Sequence, residues 1–131
     1  MKILVVDDET DVRTLFEQRF RREIRSGQFS FSFAYSGEDA LTYLQEHASE
    51  VVLILSDINM PGMSGLELLR RIKREYPAPP PTPPQVMMIT AYGDDESYRQ
   101  AMQLGANDFL TKPVDFAALK EKLTLLASHE N

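Results

Sequence analysis

Hydrophobic positions along the chain fall into two alternating periodicities. Ile3-Leu4-Val5-Val6, Val51-Val52-Leu53-Ile54-Leu55 and Val86-Met87-Met88-Ile89 are short uninterrupted apolar runs, the form taken by strands covered on both faces. Phe29, Phe31, Phe33 and Tyr35 instead alternate with Ser30, Ser32 and Ala34, the period of two expected of a strand with one face less covered. Asp108-Phe109-Leu110 is a short fifth candidate, and it and the phenylalanine run both suit sheet edges. Between these runs, apolar residues recur at three- and four-residue spacing: Val12, Leu15, Phe16, Phe20 and Ile24; Leu41 and Leu44; Leu66, Leu69 and Ile72; Tyr98, Ala101 and Met102; Phe116, Leu119, Leu123 and Leu126. That spacing predicts five helices, each with one apolar stripe. Ser36 with Asp39 and Ser64 with Glu67 fit a start signal in which a hydroxyl caps one free amide and an acid three residues on reaches back. Gly105 is expected to end the fourth helix in the left-handed conformation. Strand and helix alternate throughout, which predicts an α/β domain over residues 1–131: an open, five-stranded parallel sheet with helices on both faces.

One segment breaks the alternation. Pro77, Pro79, Pro80, Pro81, Pro83 and Pro84 fall close together, and proline's missing donor and fixed φ forbid a helix or a central strand there. Residues 77–84 therefore read as a surface loop, a stiff polyproline connector between the third helix and the next strand. With 131 residues there is room for one domain, and 43 % hydrophobic and 26 % charged residues are close to the ordinary soluble mean. The net charge of −6 disfavours direct binding to nucleic acid or to anionic lipid. Without cysteine there is no disulfide framework or thiolate metal site, and no apolar run approaches the length of a membrane span. The amino-terminal apolar stretch is too short for a leader, so a cytoplasmic setting is expected.

Ligands of open parallel sheets bind outside the carboxyl ends of the strands. Asp7, Asp8 and Glu9 follow the first strand, Asp57 and Asn59 the third, Thr90 and Ala91 the fourth, and Lys112 and Pro113 the last. Acids, a hydroxyl and an ammonium thus converge on one rim. Two carboxylates about 4 Å apart repel by roughly 4 kcal/mol at an effective dielectric near 20, so clustered Asp7, Asp8 and Asp57 call for a cation. All-oxygen donors suit Mg²⁺, which keeps several waters and takes one or two carboxylates plus phosphate oxygens. This is the composition of a phosphoryl-transfer site. Asp57 is the expected nucleophile, because cysteine is absent and neither His47 nor His129 lies at a strand end. The turn Asn59-Met60-Pro61-Gly62 then offers backbone carbonyls to the metal, with Asp7 and Asp8 holding it, Thr90 donating its hydroxyl to a phosphoryl oxygen and Lys112 compensating charge. Taken singly, Asp7-Asp8 reads as an acid pair at a helix start, and Asp57 as a turn residue. The joint order past four separate strands is what points to chemistry. His47, His129 and the charged run Arg70, Arg71, Lys73 and Arg74 read as solvated.

These residues resemble the response-regulator receiver domain of two-component signalling over essentially the whole chain. The matching stretches are Val5-Val6-Asp7-Asp8-Glu9, the run from Leu55 to Gly65, Ile89-Thr90-Ala91, Gly105-Ala106 and Phe109-Leu110-Thr111-Lys112-Pro113. The resemblance implies a doubly wound, flavodoxin-like three-layer sandwich with strand order 2-1-3-4-5. It implies that Asp57 takes a phosphoryl group from a phosphohistidine of a sensor histidine kinase or phosphotransfer protein. It further implies Mg²⁺ held by Asp8, Asp57 and the Asn59 carbonyl with Asp7 nearby, Thr90 and Phe109 as switch residues, Lys112 as the lysine of the motif, and a cis bond before Pro113. The face built from the fourth helix, the last strand and the last helix would then control an effector protein or a linked output domain, with a phosphorylation-dependent homodimer as one form of that control. Tyr92 and Asn59 are implied to overhang the site.

Two other classes share parts of the pattern. A haloacid-dehalogenase-like phosphatase also uses an aspartyl nucleophile after a strand, but it needs an acid two residues on, where Asn59 stands and cannot do general acid work. A flavodoxin-like cofactor carrier needs a glycine- and hydroxyl-rich phosphate loop after the first strand, where Asp7-Asp8-Glu9 would repel the phosphate. A scaffold on the same fold that is never phosphorylated leaves the complete acidic rim without a purpose.

Overall fold

A computed structural model describes residues 1–75, 84–91 and 93–128. Tyr92, His129 and all of the proline-rich segment except Pro84 lie outside the described residues. The strands are β1 (Lys2–Val6), β2 (Ser30–Ala34), β3 (Val51–Asp57), β4 (Gln85–Thr90) and β5 (Asp108–Thr111). They form one parallel sheet in the order β2-β1-β3-β4-β5, as the resemblance implies, with the phenylalanine-rich strand and the short strand at its edges. Because side chains alternate across a strand, each continuous apolar run feeds two cores. Ile3, Val5, Leu53, Leu55, Met87 and Ile89 face one side; Leu4, Val6, Ile54, Val86 and Met88 face the other.

Six helices are described rather than five: α1 (Asp11–Arg19), α2 (Arg21–Ser26), α3 (Gly37–His47), α4 (Gly65–Glu75), α5 (Asp95–Gln103) and α6 (Phe116–Ser128). The first predicted helix is divided at Phe20, whose backbone (φ −112°, ψ 25°) leaves the helical region. Phe20 itself stays buried and packs its ring on Phe16, Phe29, Phe31 and Phe116. The change of direction breaks the predicted stripe. Leu15 and Ile24 are 41 % and 37 % exposed while Glu23 is buried, its carboxylate bound to Lys120 of α6 at 2.8 Å. A polar residue takes the inward position because a lysine meets it there.

Phe16, Leu119 and Leu123 cover one face of the sheet from α1 and α6. Ala40, Leu44, Leu68, Leu69, Ile72 and Ala101 cover the other from α3, α4 and α5. The helix starts use the hydroxyl half of the expected cap: Asp39 N–H donates to Ser36 Oγ at 3.0 Å and Glu67 N–H to Ser64 Oγ at 3.2 Å. The Glu67 carboxylate turns outward to Arg70 and Arg71. Gly105 has φ +96°, as its place after α5 predicts. Lys73 departs from the solvated face expected of it. Its stem lies against Gly105, its ammonium donates to Asn107 Oδ1 at 3.2 Å, and burial pulls its pKa below the ordinary lysine value. His47 stacks on Tyr43 and bonds Glu50 at 2.9 Å, at the end of α3.

Candidate functional site

The carboxyl ends of four strands deliver the candidate groups to one rim. Asp57 ends β3 and Thr90 ends β4, while Asp7 and Asp8 directly follow β1 and Lys112 directly follows β5. Parallel register makes them neighbours. Val6 pairs with Ser56, so the next step along the strands brings Asp7 level with Asp57; Asp57 pairs with Ile89, and Thr90 with Thr111. The Lys112 N–H donates to the Thr90 carbonyl at 2.8 Å, extending the β4–β5 ladder into the site.

Asp57 is 2 % exposed, and both its oxygens are engaged. Lys112 Nζ donates to Oδ2 at 2.8 Å and the Asn59 N–H to Oδ1 at 3.3 Å. One carboxylate oxygen from each of Asp7, Asp8 and Asp57 lies within 4.8 Å of the other two. Asp7 is buried and held by its own loop, its N–H donating to the Ala34 carbonyl and its Oδ1 accepting the Glu9 N–H at 2.9 Å; Asp8 faces solvent. The residues expected to cluster are therefore together. The Lys112–Pro113 peptide is cis, as the resemblance implies. Phe109 lies beside this cluster rather than in it. Its ring packs on Tyr98 of α5 with centroids 4.2 Å apart, and with Thr90, Ala91 and Thr111 these two rings line a cavity of about 580 Å³. Tyr98 reads from its spacing as an ordinary stripe residue. Only the fold shows that it meets Phe109.

The charges of the site are coupled. Burial raises the Asp7 pKa above the usual carboxylate value; the Glu9 N–H works against that shift, the neighbouring Asp57 charge adds to it, Lys112 opposes it and the Glu9 charge adds a little more. For Lys112, burial works to lower the pKa, but the hydrogen bond and charge of Asp57, with Asp7 and Glu9, outweigh it and raise the value above that of an ordinary lysine. Three carboxylates against one ammonium leave two excess negative charges, the complement of a divalent cation. An all-oxygen set of this size, partly open to water, fits Mg²⁺ by donor chemistry.

The raised pKa of Asp7 makes stability depend on pH. Its folded-state pKa lies above its unfolded one, so ionising Asp7 works against folding. The handicap is fully present above the folded pKa and disappears as pH falls below the unfolded value. Metal-free Asp7→Asn, which keeps an oxygen to accept the Glu9 N–H, should therefore melt a few degrees above the unaltered protein at neutral pH. The gap should close toward about pH 4, where free aspartate titrates. Thermal melts at both pH values check this, and a gap that is absent at neutral pH or undiminished in acid contradicts it.

A family model described as response regulator receiver domain matches residues 3–124. The transcriptional regulatory protein ZraR of Salmonella typhimurium is 35 % identical over 127 residues, which cover 97 % of this chain and 26 % of that protein. The response regulator protein PilR of Pseudomonas aeruginosa is 39 % identical over 123 residues, covering 92 % and 24 %. The chain thus spans about a quarter of the length of these relatives. Among solved structures, the N-terminal domain of an uncharacterized protein from Wolinella succinogenes superposes with a TM-score of 0.81 at 31 % identity, covering 99 % of this chain and 96 % of that one. A response regulator receiver domain protein from Clostridium thermocellum gives 0.82 at 26 % identity, covering 98 % and 95 %.

Proposed function

This chain belongs to the response regulator receiver domain family, and from that premise we propose that it is a phosphoacceptor whose Asp57 takes a phosphoryl group from the phosphohistidine of a histidine kinase or phosphotransfer protein. The observation that carries the reading is the placing of Asp57: buried at the end of a central strand, bonded to Lys112, and within reach of Asp7 and Asp8. An Asp57 oxygen attacks phosphorus while the bond from phosphorus to the donor imidazole nitrogen breaks, and the acyl phosphate remains on the chain. Lys112 stays beside the oxygen it already contacts and balances the charge that arrives there. Asp7, Asp8, Asp57 and the Asn59 carbonyl would hold Mg²⁺, which when bound supplies Lewis-acid neutralisation of the phosphoryl oxygens. The chain carries out its own phosphorylation and dephosphorylation only, and turns over no other substrate.

The donor has a route to the site. A groove of about 690 Å³ runs from Asp7 and Lys112 along Leu15, Phe16, Pro113 and Phe116, and the exposed Leu15 at its side gives a partner protein an apolar contact. The same reading includes a switch. A phosphoryl group on Asp57 gives the Thr90 hydroxyl a new acceptor, the loop after β4 is drawn inward, and Phe109 turns toward the space this leaves. The face of α5, β5 and α6 then presents a changed surface to an effector protein, to a covalently linked output domain, or to a second copy in a phosphorylation-dependent homodimer. Moving such an equilibrium from 1:99 to 99:1 takes about 5.5 kcal/mol of preference for the active state. Among the described residues no helix is long and apolar enough to cross a membrane; the working place in this reading is the cytoplasm, where the phosphohistidine donor is expected.

Incubation with acetyl phosphate and Mg²⁺ tests the reading. Intact-mass measurement should show one phosphoryl adduct, lost in base and prevented by a chelator. No adduct, or one indifferent to chelation, overturns it.

A further inference from the structure

The turn between β3 and α4 carries Asn59, whose carbonyl is assigned to the metal and whose N–H donates to Asp57 Oδ1. At its base the turn is tied to β4 and closed on itself. The Ile58 N–H donates to the Ile89 carbonyl at 3.2 Å, and the Gly65 N–H to the Ile58 carbonyl at 2.8 Å. Its far side is tied to a different element. Glu38, in the first turn of α3, accepts the Met63 N–H on Oε1 at 3.2 Å. The same carboxylate lies 3.5–3.7 Å from where a Cβ would stand on Gly62, whose φ of +74° calls for glycine. The preceding residue, Gly37, is buried against Met63: a Cβ on it would fall 2.8 Å from Sδ and 3.0 Å from both Cβ and Cγ. One hydrogen bond and two close approaches, of Glu38 to Gly62 and of Gly37 to Met63, thus join the start of α3 to residues 62 and 63. The start of α3 is itself held, being capped by Ser36 and following β2, whose last residue bonds Asp7. A carboxylate in a first helical turn is also favoured there by the helix dipole.

We propose that Gly37 and Glu38 are positioning residues for the β3–α4 turn, and through it set how tightly the site takes up its divalent cation. The inference rests on the phosphoacceptor reading above. Glu38 is not among the carboxylates gathered at the site. It holds the Met63 amide, so that the turn carrying Asn59 is already ordered before the cation arrives, and preorganisation of this kind strengthens binding by lowering the cost of ordering.

Titration with Mg²⁺ alone, followed by calorimetry at fixed ionic strength, tests this on the unaltered chain, Glu38→Ala, Glu38→Gln, Gly37→Ala and Gly37→Ala/Met63→Ala. Glu38→Ala should weaken uptake about threefold to tenfold, the scale of one hydrogen bond to a charged group at a partly exposed site. Glu38→Gln keeps an acceptor oxygen and should recover most of it, although it lacks the charge as fully as alanine does. Gly37→Ala should weaken uptake, and removing the Met63 side chain in the double variant should restore part of it. In metal-free protein, amide exchange at Met63 should quicken in Glu38→Ala and not in Glu38→Gln. Equal losses in Glu38→Ala and Glu38→Gln would mark a plain charge effect and overturn the proposal, as would unaltered uptake in Glu38→Ala. Lack of Mg²⁺ uptake by the unaltered chain overturns the phosphoacceptor reading, and the positioning role falls with it.

Discussion

Replacing Asp57 by asparagine should reduce the acetyl-phosphate adduct by on the order of 10³-fold or more, because a carboxamide offers no anionic oxygen to attack phosphorus and the covalent route is lost with its nucleophile. The fold should survive the change. Asparagine has nearly the same volume and keeps an oxygen for the Asn59 N–H, which donates to Asp57 Oδ1. The charge ledger runs both ways: the variant gives up the contact with Lys112 at 2.8 Å, but it also removes one of three acids crowded within 4.8 Å. Near-native melting with loss of the adduct is therefore the expected pair of results. Intact mass after exposure to acetyl phosphate, beside a thermal melt of the same sample, measures both. An adduct that persists would show that another side chain accepts the phosphoryl group, and Asp57 would lose its assigned role.

The second large effect is on folding. Gly65 opens α4, and a Cβ there would lie 2.1 Å from the Asp57 carbonyl oxygen and 2.8 Å from the Ile58 Cα. Both atoms are backbone of the strand end that carries the acceptor, so no side-chain rotation relieves the overlap. Gly65→Ala must push the helix away from β3 or distort the end of that strand. It should cost about 3 kcal/mol or more, in the range of overpacking a tight interior contact. Gly93 provides the control. Its φ of +83° also favours glycine, but nothing lies within 4 Å of a Cβ there, so Gly93→Ala should cost only about 1 kcal/mol. Urea unfolding of the two variants distinguishes close approach from backbone conformation. Equal losses would mean that α4 does not press on the strand as closely as the structure has it.

Much of this architecture was legible beforehand because its signals are local. The three continuous apolar runs became the three central strands, since a strand flanked by helices on both sides must be apolar at every position. The alternating phenylalanines became an edge strand, and the order of acids, threonine and lysine past successive strands put them on one rim. The failures lie where two elements meet. Val12, Leu15, Phe16, Phe20 and Ile24 fit one helix by spacing, yet the helix breaks at Phe20, where the ring is drawn into a cluster with Phe29, Phe31 and Phe116. Glu23 turns inward against its polarity because Lys120, almost a hundred residues later, waits for it. Lys73 leaves its solvated face for Asn107. None of these pairings has a signature in the residues around it.

What the amino-acid order determined by itself was the alternation of strand and helix, the two-sided burial of the sheet, and the set of residue types at the strand ends, because periodicity and capping act over a few neighbouring positions. Tertiary structure alone decided which of those residues touch. It set Lys112 on Asp57, Tyr98 against Phe109, and Glu38 on the amide of Met63. Such contacts depend on strand register and on the separation of packed helices, quantities that long-range burial sets and no short stretch of chain encodes.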